Sequence, residues 1–165
     1  MPAMRAGRWL VPAMNLRSLV RVLLLVSASW LLFSRLYQPL CIEGRSMEPT
    51  YTDGSLVFCN RMAYLFSEPR RFDVVAIRMA GDRIVLLKRI VALPGETVRF
   101  RNGVLLVDGR PLAEPYLQGP SDWNLAPRTV APGTLYVVGD NRSVPMQVHV
   151  FGQVDRQRIL GRVPW

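Results

Sequence analysis

Lys88 is the only lysine in this 165-residue chain, and the other 20 of the 21 basic residues are arginine. It stands in an apolar run, Ile84-Val-Leu-Leu-Lys88-Arg-Ile-Val91. The two cations differ in chemistry. A guanidinium stays protonated in a protein, whereas an ammonium buried among apolar neighbours gives up its proton more easily and becomes a base. Such a base needs a nucleophile to act on, and Ser46 lies in a punctuated segment, Gly44-Arg-Ser46-Met-Glu-Pro49-Thr50. Gly44 allows a close backbone approach and Pro49 stiffens the chain past the serine, so the segment can hold a hydroxyl and its own N–H in one place. A serine hydroxyl attacks poorly until a base takes its proton. Lys88 in that role would later return the proton to a leaving amine, which is acyl transfer by a Ser/Lys pair. Periodicity alone leaves open the alternative that Lys88 points to solvent from an exposed strand face.

His149 is the only histidine. A Ser-His-acid triad requires a carboxylate behind the imidazole, and nothing in the sequence marks one, so His149 reads as a structural or surface residue. Cys41 and Cys59 form no CxxC and no cluster with histidine, so no metal and no cofactor is expected. One disulfide between them, or two unpaired thiols, are both open.

The elements that must position Ser46 and Lys88 begin with an apolar N-terminus. Val22 to Phe33 is free of charge, and apolar character extends from Leu16 to Leu40, broken by Arg17, Arg21, Arg35 and Gln38. A spanning helix takes about 20 residues. Arg21 and Arg35 bracket the run, where arginines reach the headgroups, and Trp30, Phe33 and Tyr37 lie where an interfacial belt would. The expected organisation is a basic cytoplasmic arm over 1–17, a transmembrane signal anchor over 18–38, and an extracytoplasmic β-rich catalytic domain over 39–165. A cleaved signal peptide and an arginine-rich mitochondrial targeting arm are the alternatives. Leu40 excludes a lipoprotein signal at Cys41, because that site needs a small residue. Arg5, Arg8, Arg17 and Arg21 precede the apolar run, so the positive-inside rule keeps the N-terminus in the cytoplasm.

The net charge of +9 divides unevenly. Residues 1–42 carry five arginines and no acid, and the remainder has 16 basic against 12 acidic residues. No basic run with interleaved aromatics follows, which argues against nucleic acid and leaves membrane lipid as the partner for the charged arm.

Beyond Cys41 the pattern is β. Strands are expected over Ser55–Cys59, Phe72–Ile77, Asp82–Val91, Thr97–Arg101, Val104–Val107 and Thr134–Val138. Ala80-Gly-Asp82 reads as a tight turn, and Asn102-Gly103 between alternating strands is a hairpin signal. Residues 111–133, rich in proline and glycine, read as a long surface loop. The expected fold is mainly β, a sandwich or partly open barrel behind one N-terminal helix.

Four segments resemble, in order, the boxes of type I signal peptidases. Gly44-x-Ser46-Met47-x-Pro49-Thr50 is similar to their nucleophile box and Asp73-Val-Val75 to the next. Leu87-Lys88-Arg89-Ile-Val-Ala-Leu-Pro94-Gly95-Glu96 is similar to the box of the lysine base, and Gly139-Asp140-Asn141-Arg142 to the last. The resemblance covers about residues 41–165 plus the anchor, as in small single-anchor members from bacteria or the mitochondrial inner membrane. It implies a membrane-bound serine endopeptidase, at the plasma membrane, that removes signal peptides from exported preproteins without a cofactor; whether a partner subunit is needed stays open. It implies Ser46 as nucleophile, Lys88 as base and the Ser46 N–H as oxyanion donor. Gly44 occupies the position where some members carry a second, hydroxyl donor. Ile42, Met47 and Leu87 match positions lining shallow pockets for small substrate side chains, and their plainer reading is core packing. Gly139, Asp140 and Asn141 support the site, and an apolar rim around it would meet the membrane.

One segment departs from the family. Counting back from Phe151-Gly152, Pro145 stands where a serine orients the lysine, Gln147 where an acid stands, and His149 where an arginine stands. Ser143 is the serine that a shifted loop would offer instead. Two alternatives follow: a processing peptidase with a narrow substrate, and a non-catalytic membrane-anchored relative.

Overall fold

The computed structural model describes residues 15–79, 85–117 and 119–164. The expected turn at Ala80-Gly-Asp82 and the arm over 1–14 lie outside the described residues. The chain forms two compact units, residues 1–35 and 36–165.

The first unit is carried by α1, Leu16–Leu36, which buries none of its residues and is long and apolar enough to cross a membrane. Its 21 residues rise about 30 Å, the thickness of a hydrocarbon core. Asn15 caps it, its Oδ1 accepting from the Ser18 N–H at 3.1 Å. The helix spans Leu16–Leu36, where an anchor over 18–38 was expected. Tyr37 and Gln38 are already strand, paired with Asn60 and Cys59. Pro39 explains the change, because it disfavours helical geometry at the residue before it.

The second unit is mainly β. Its strands are β1 (Tyr37–Cys41), β2 (Leu56–Asn60), β3 (Val74–Arg78), β4 (Val85–Ala92), β5 (Thr97–Arg101), β6 (Val104–Val107), β7 (Arg110–Pro111), β8 (Leu125–Thr129), β9 (Thr134–Val138), β10 (Gly152–Asp155) and β11 (Ile159–Val163). An open seven-stranded sheet runs β1-β2-β11-β3-β4-β9-β10, and a four-stranded sheet runs β7-β6-β5-β8. The hairpin at Asn102-Gly103 forms as expected, both residues at positive φ. In register, Cys41 faces Leu56 and Cys59 faces Gln38, and both thiols are free.

Two expectations are corrected. Phe72 is not strand; it sits at φ 73°, with its carbonyl turned to accept from Arg89, and β3 begins at Val74. Residues 111–133 are not a plain surface loop. They contain β8, which pairs with β5, and Trp123, which is buried with its ring 5.3 Å from that of Phe100. β8 escapes a sequence reading because Pro127 breaks its pattern, a residue that sheets accept at an edge such as this.

For the site the decisive element is β4. It lies between β3 and β9, and every residue from Leu87 to Ala92 is buried. A strand covered on both faces puts Lys88 and Arg89 inside the protein.

Candidate active site

The loop before β2 presents Ser46. Gly44 has φ +93°, with nothing within 4 Å of where a side chain would begin, so its glycine answers to conformation and not to space. Its N–H is held by Asp53 Oδ1 at 2.8 Å. The turn after β9 grips the same loop from the other side. The Asn141 N–H donates to the Ser46 carbonyl at 3.0 Å, and Asn141 Nδ2 donates to the Arg45 carbonyl at 3.0 Å. Gly139 makes this possible, since a Cβ there would fall 2.3 Å from the Ser46 carbonyl oxygen. Here glycine answers to space.

Against this loop β4 places Lys88, whose Nζ lies 2.6 Å from Ser46 Oγ. Lys88 is only 3% exposed, which excludes the solvent-facing alternative. Burial lowers its pKa from the usual 10.5 to about 8, against the pull of the Asp140 carboxylate. That carboxylate is engaged elsewhere. Asp140 takes Arg89 Nε at 2.9 Å and Nη2 at 2.6 Å, and accepts from Thr50 Oγ1 at 2.5 Å. Arg89 also donates to the Phe72 carbonyl at 3.0 Å and lies 4.0 Å from the centre of the Tyr116 ring. A second buried pair, Arg142 with Glu114 at 2.5 Å, holds the Gly139 carbonyl through Arg142 Nε at 2.9 Å.

A buried lysine amine within hydrogen-bond reach of a serine hydroxyl is a base–nucleophile pair in geometry. The family model described as signal peptidase, peptidase S26, matches residues 15–165. The chain belongs to the signal peptidase family. A signal peptidase I of Leptolyngbya laminosa is 35% identical over 129 residues, 73% of this chain and 64% of that protein. Signal peptidase I V of Bacillus subtilis is 34% identical over 134 residues, 73% of this chain and 79% of that protein. This chain therefore spans less than two thirds of the Leptolyngbya relative. A crystal structure of a signal peptidase I from Enterococcus faecalis is 29% identical, covers 59% of this chain and 98% of that one, and superposes with a TM-score of 0.48. Signal peptidase membership and the apolar α1 fit a membrane-anchored protein.

In this chain Ile42, Met47 and Leu87 belong to one buried cluster with Val74 and Ala76. They also line a cavity of about 50 Å³ beside Ser46, with Leu40, Val57 and Val85. The three residues are thus core packing and cavity lining at once. Next to the cavity β4 has an open edge: β9 engages it only from Arg89 onward, so Val85–Lys88 pairs with β3 alone among the described residues.

The segment that departs from the family supplies no hydroxyl to Lys88. Pro145 and Gln147 are exposed. Ser143 is not the substitute, because its Oγ donates to Asn141 Oδ1 at 2.5 Å. His149 is buried, which corrects the surface alternative, and among the described residues no carboxylate partners its nitrogens as a triad requires. No group of three or more His, Cys, Asp or Glu among the described residues is placed to hold a metal.

Sequence reasoning found Ser46, Lys88 and the Gly139–Asn141 turn. It missed Glu114, Tyr116 and Asp53. Glu114 and Tyr116 fall in the segment read as loop, and no local pattern marks them.

Proposed function

We propose that this chain is a membrane-anchored serine endopeptidase that removes signal peptides from exported preproteins. Ser46 is the nucleophile and Lys88 the general base. The observation that carries this reading is the 2.6 Å contact between a buried lysine amine and the serine hydroxyl, in a member of the signal peptidase family.

A substrate strand adding to the open edge at Val85–Lys88 would bring its carbonyl to Ser46, the backbone mode by which sheet edges bind peptides. Neutral Lys88 takes the hydroxyl proton as Oγ attacks. The Ser46 N–H, which has no hydrogen-bond partner among the described residues, stabilises the oxyanion. A donor of this kind is worth about 3 kcal/mol. Lys88 then delivers the proton to the leaving amine, and water hydrolyses the acyl-enzyme with Lys88 again as base. The 50 Å³ cavity suits a side chain such as alanine; a benzene-sized group needs about 150 Å³.

In the membrane, α1 is the anchor. The arm over 1–17 stays in the cytoplasm, and the domain from residue 39 faces outward at the plasma membrane, or at its mitochondrial counterpart, the inner membrane. Leu65 and Phe66, 60% and 92% exposed, offer apolar surface for contact with lipid.

The test is cleavage of a precursor with an Ala-x-Ala site by the purified full-length protein in detergent. Cleavage is expected, and Ser46→Ala and Lys88→Ala should each abolish it; activity that survives Lys88→Ala removes the lysine from the mechanism. A narrower substrate is the second reading, favoured by the exposed Pro145 and Gln147 where the family carries a serine and an acid. Under that reading general precursors stay uncut while one dedicated protein is processed.

A further inference from the structure

His149 is 6% exposed, and neither ring nitrogen has a hydrogen-bond partner among the described residues. Buried polar groups are normally satisfied by protein or by ordered water, so two unpartnered nitrogens on one ring need an explanation. The ring is held by aromatic contacts, edge-on to Trp123 at 4.9 Å between centroids and to Phe151 at 6.1 Å. These contacts fix its plane and satisfy neither nitrogen.

The direction of the ring is informative. A Cβ on Gly139 would lie 2.7 Å from His149 Cε1, 2.8 Å from Nε2 and 2.3 Å from the Ser46 carbonyl oxygen. The imidazole edge and the nucleophile's own backbone therefore converge on one Cα. Ser46 is also the residue that Lys88 contacts, with Nζ 2.6 Å from Oγ.

The charges around the ring select its role. Burial lowers the His149 pKa from 6.5 to about 4, helped by Lys88 on β4 and then Arg142 in the turn after β9. Backbone groups of Val150 and Asn141 face the ring and oppose this, without the geometry of hydrogen bonds. Among the described residues no carboxylate acts on it. Between two cations the ring is an uncharged acceptor, the kind of group that can steady an ammonium without trapping it as a salt bridge would.

We propose that His149 is the positioning residue for Lys88, its imidazole bonding the lysine Nζ through one bound water in the role that a hydroxyl at position 145 would otherwise fill. This rests on the reading of Ser46 and Lys88 as the catalytic pair. The water would have His149, Lys88 and the Ser46 carbonyl as its polar partners, within the number a buried water takes. His149 does not touch substrate or carry the transferred proton; it aims the amine that does.

The experiment compares His149→Leu, His149→Asn and the double variant His149→Leu with Pro145→Ser, each in the full chain in detergent. His149→Leu should lower kcat roughly tenfold or more with KM unchanged. His149→Asn, which keeps an acceptor, should retain more activity, and the added serine should restore kcat. The lysine signal supplies a readout independent of turnover. Lys88 is the only lysine, so lysine-labelled protein gives one side-chain resonance, and its midpoint should fall by roughly half a unit in His149→Leu, because the ammonium has lost an acceptor. An unchanged midpoint in a folded His149→Leu protein overturns the proposal, as does equal loss in all three variants with lowered Tm, which marks a packing role. A wild-type chain that cuts no precursor while its midpoint still responds to His149→Leu refutes the catalytic reading and leaves the contact standing.

Discussion

Arg89 binds both carboxylate oxygens of Asp140, at 2.9 and 2.6 Å, with neither side chain exposed. The adjacent residue on the same strand is Lys88, which contacts Ser46 and makes no ion pair with Asp140. Two consecutive cations thus receive opposite treatment. One is neutralised by a fixed carboxylate and ties the Gly139–Asn141 turn to β4. The other has its burial only partly offset by that carboxylate, so that its proton is more easily lost.

Breaking that pair should cost stability first. Asp140→Asn leaves Arg89 buried beside a neutral amide, and removing one partner of a buried pair typically costs about 3–5 kcal/mol. Urea unfolding of the full-length protein in detergent should show a loss of that order. A loss below about 1 kcal/mol would mean the pair is no structural tie.

Gly139→Ala tests the close approach of the turn to the nucleophile loop. The new Cβ meets backbone at 2.3 Å, which must move, and overpacking of this kind costs about 1–3 kcal/mol. Displacing Ser46 by even about 1 Å from Lys88 should cut kcat on the order of a hundredfold. The comparison variant is Gly44→Ala, where space is free and only the backbone conformation resists.

Lys88→Met should stabilise the protein, and the gain should depend on pH. The folded pKa of about 8 lies below the ordinary 10.5, so at pH below 8 both states hold the proton and the folded state bears the full cost of a buried charge. Between about 8 and 10.5 the unfolded chain holds the extra proton, and wild-type stability rises with pH. The advantage of Lys88→Met should reach at most about 3 kcal/mol near pH 6 and shrink above pH 8. Denaturant midpoints of both proteins at pH 6 and pH 9.5 measure it.

Leu87→Ala enlarges the 50 Å³ cavity beside Ser46. Cleavage of precursors with valine or leucine before the cut should rise relative to alanine, at a cost of about 2–5 kcal/mol in stability. Unchanged preference would assign Leu87 to packing alone.

Most of the site was legible because its parts are short and local. Gly44 to Thr50 and Gly139 to Arg142 each carry their chemistry within a few residues, and the single lysine stands out against 20 arginines. Periodicity could not orient Lys88, because β4 is covered on both faces and shows no alternation. β1 and β8 were hidden by Pro39 and Pro127, which edge strands tolerate and propensity rules reject. Glu114 was invisible for another reason: its meaning comes from Arg142, 28 residues away.

The central claim is that Lys88 is a base poised near neutrality against Ser46. Side-chain NMR of lysine-labelled protein measures this directly, since the chain gives one signal. The account predicts a midpoint near 8 that coincides with the rising limb of kcat against pH. A midpoint near 10.5, or a kcat limb that ignores the lysine titration, would contradict it.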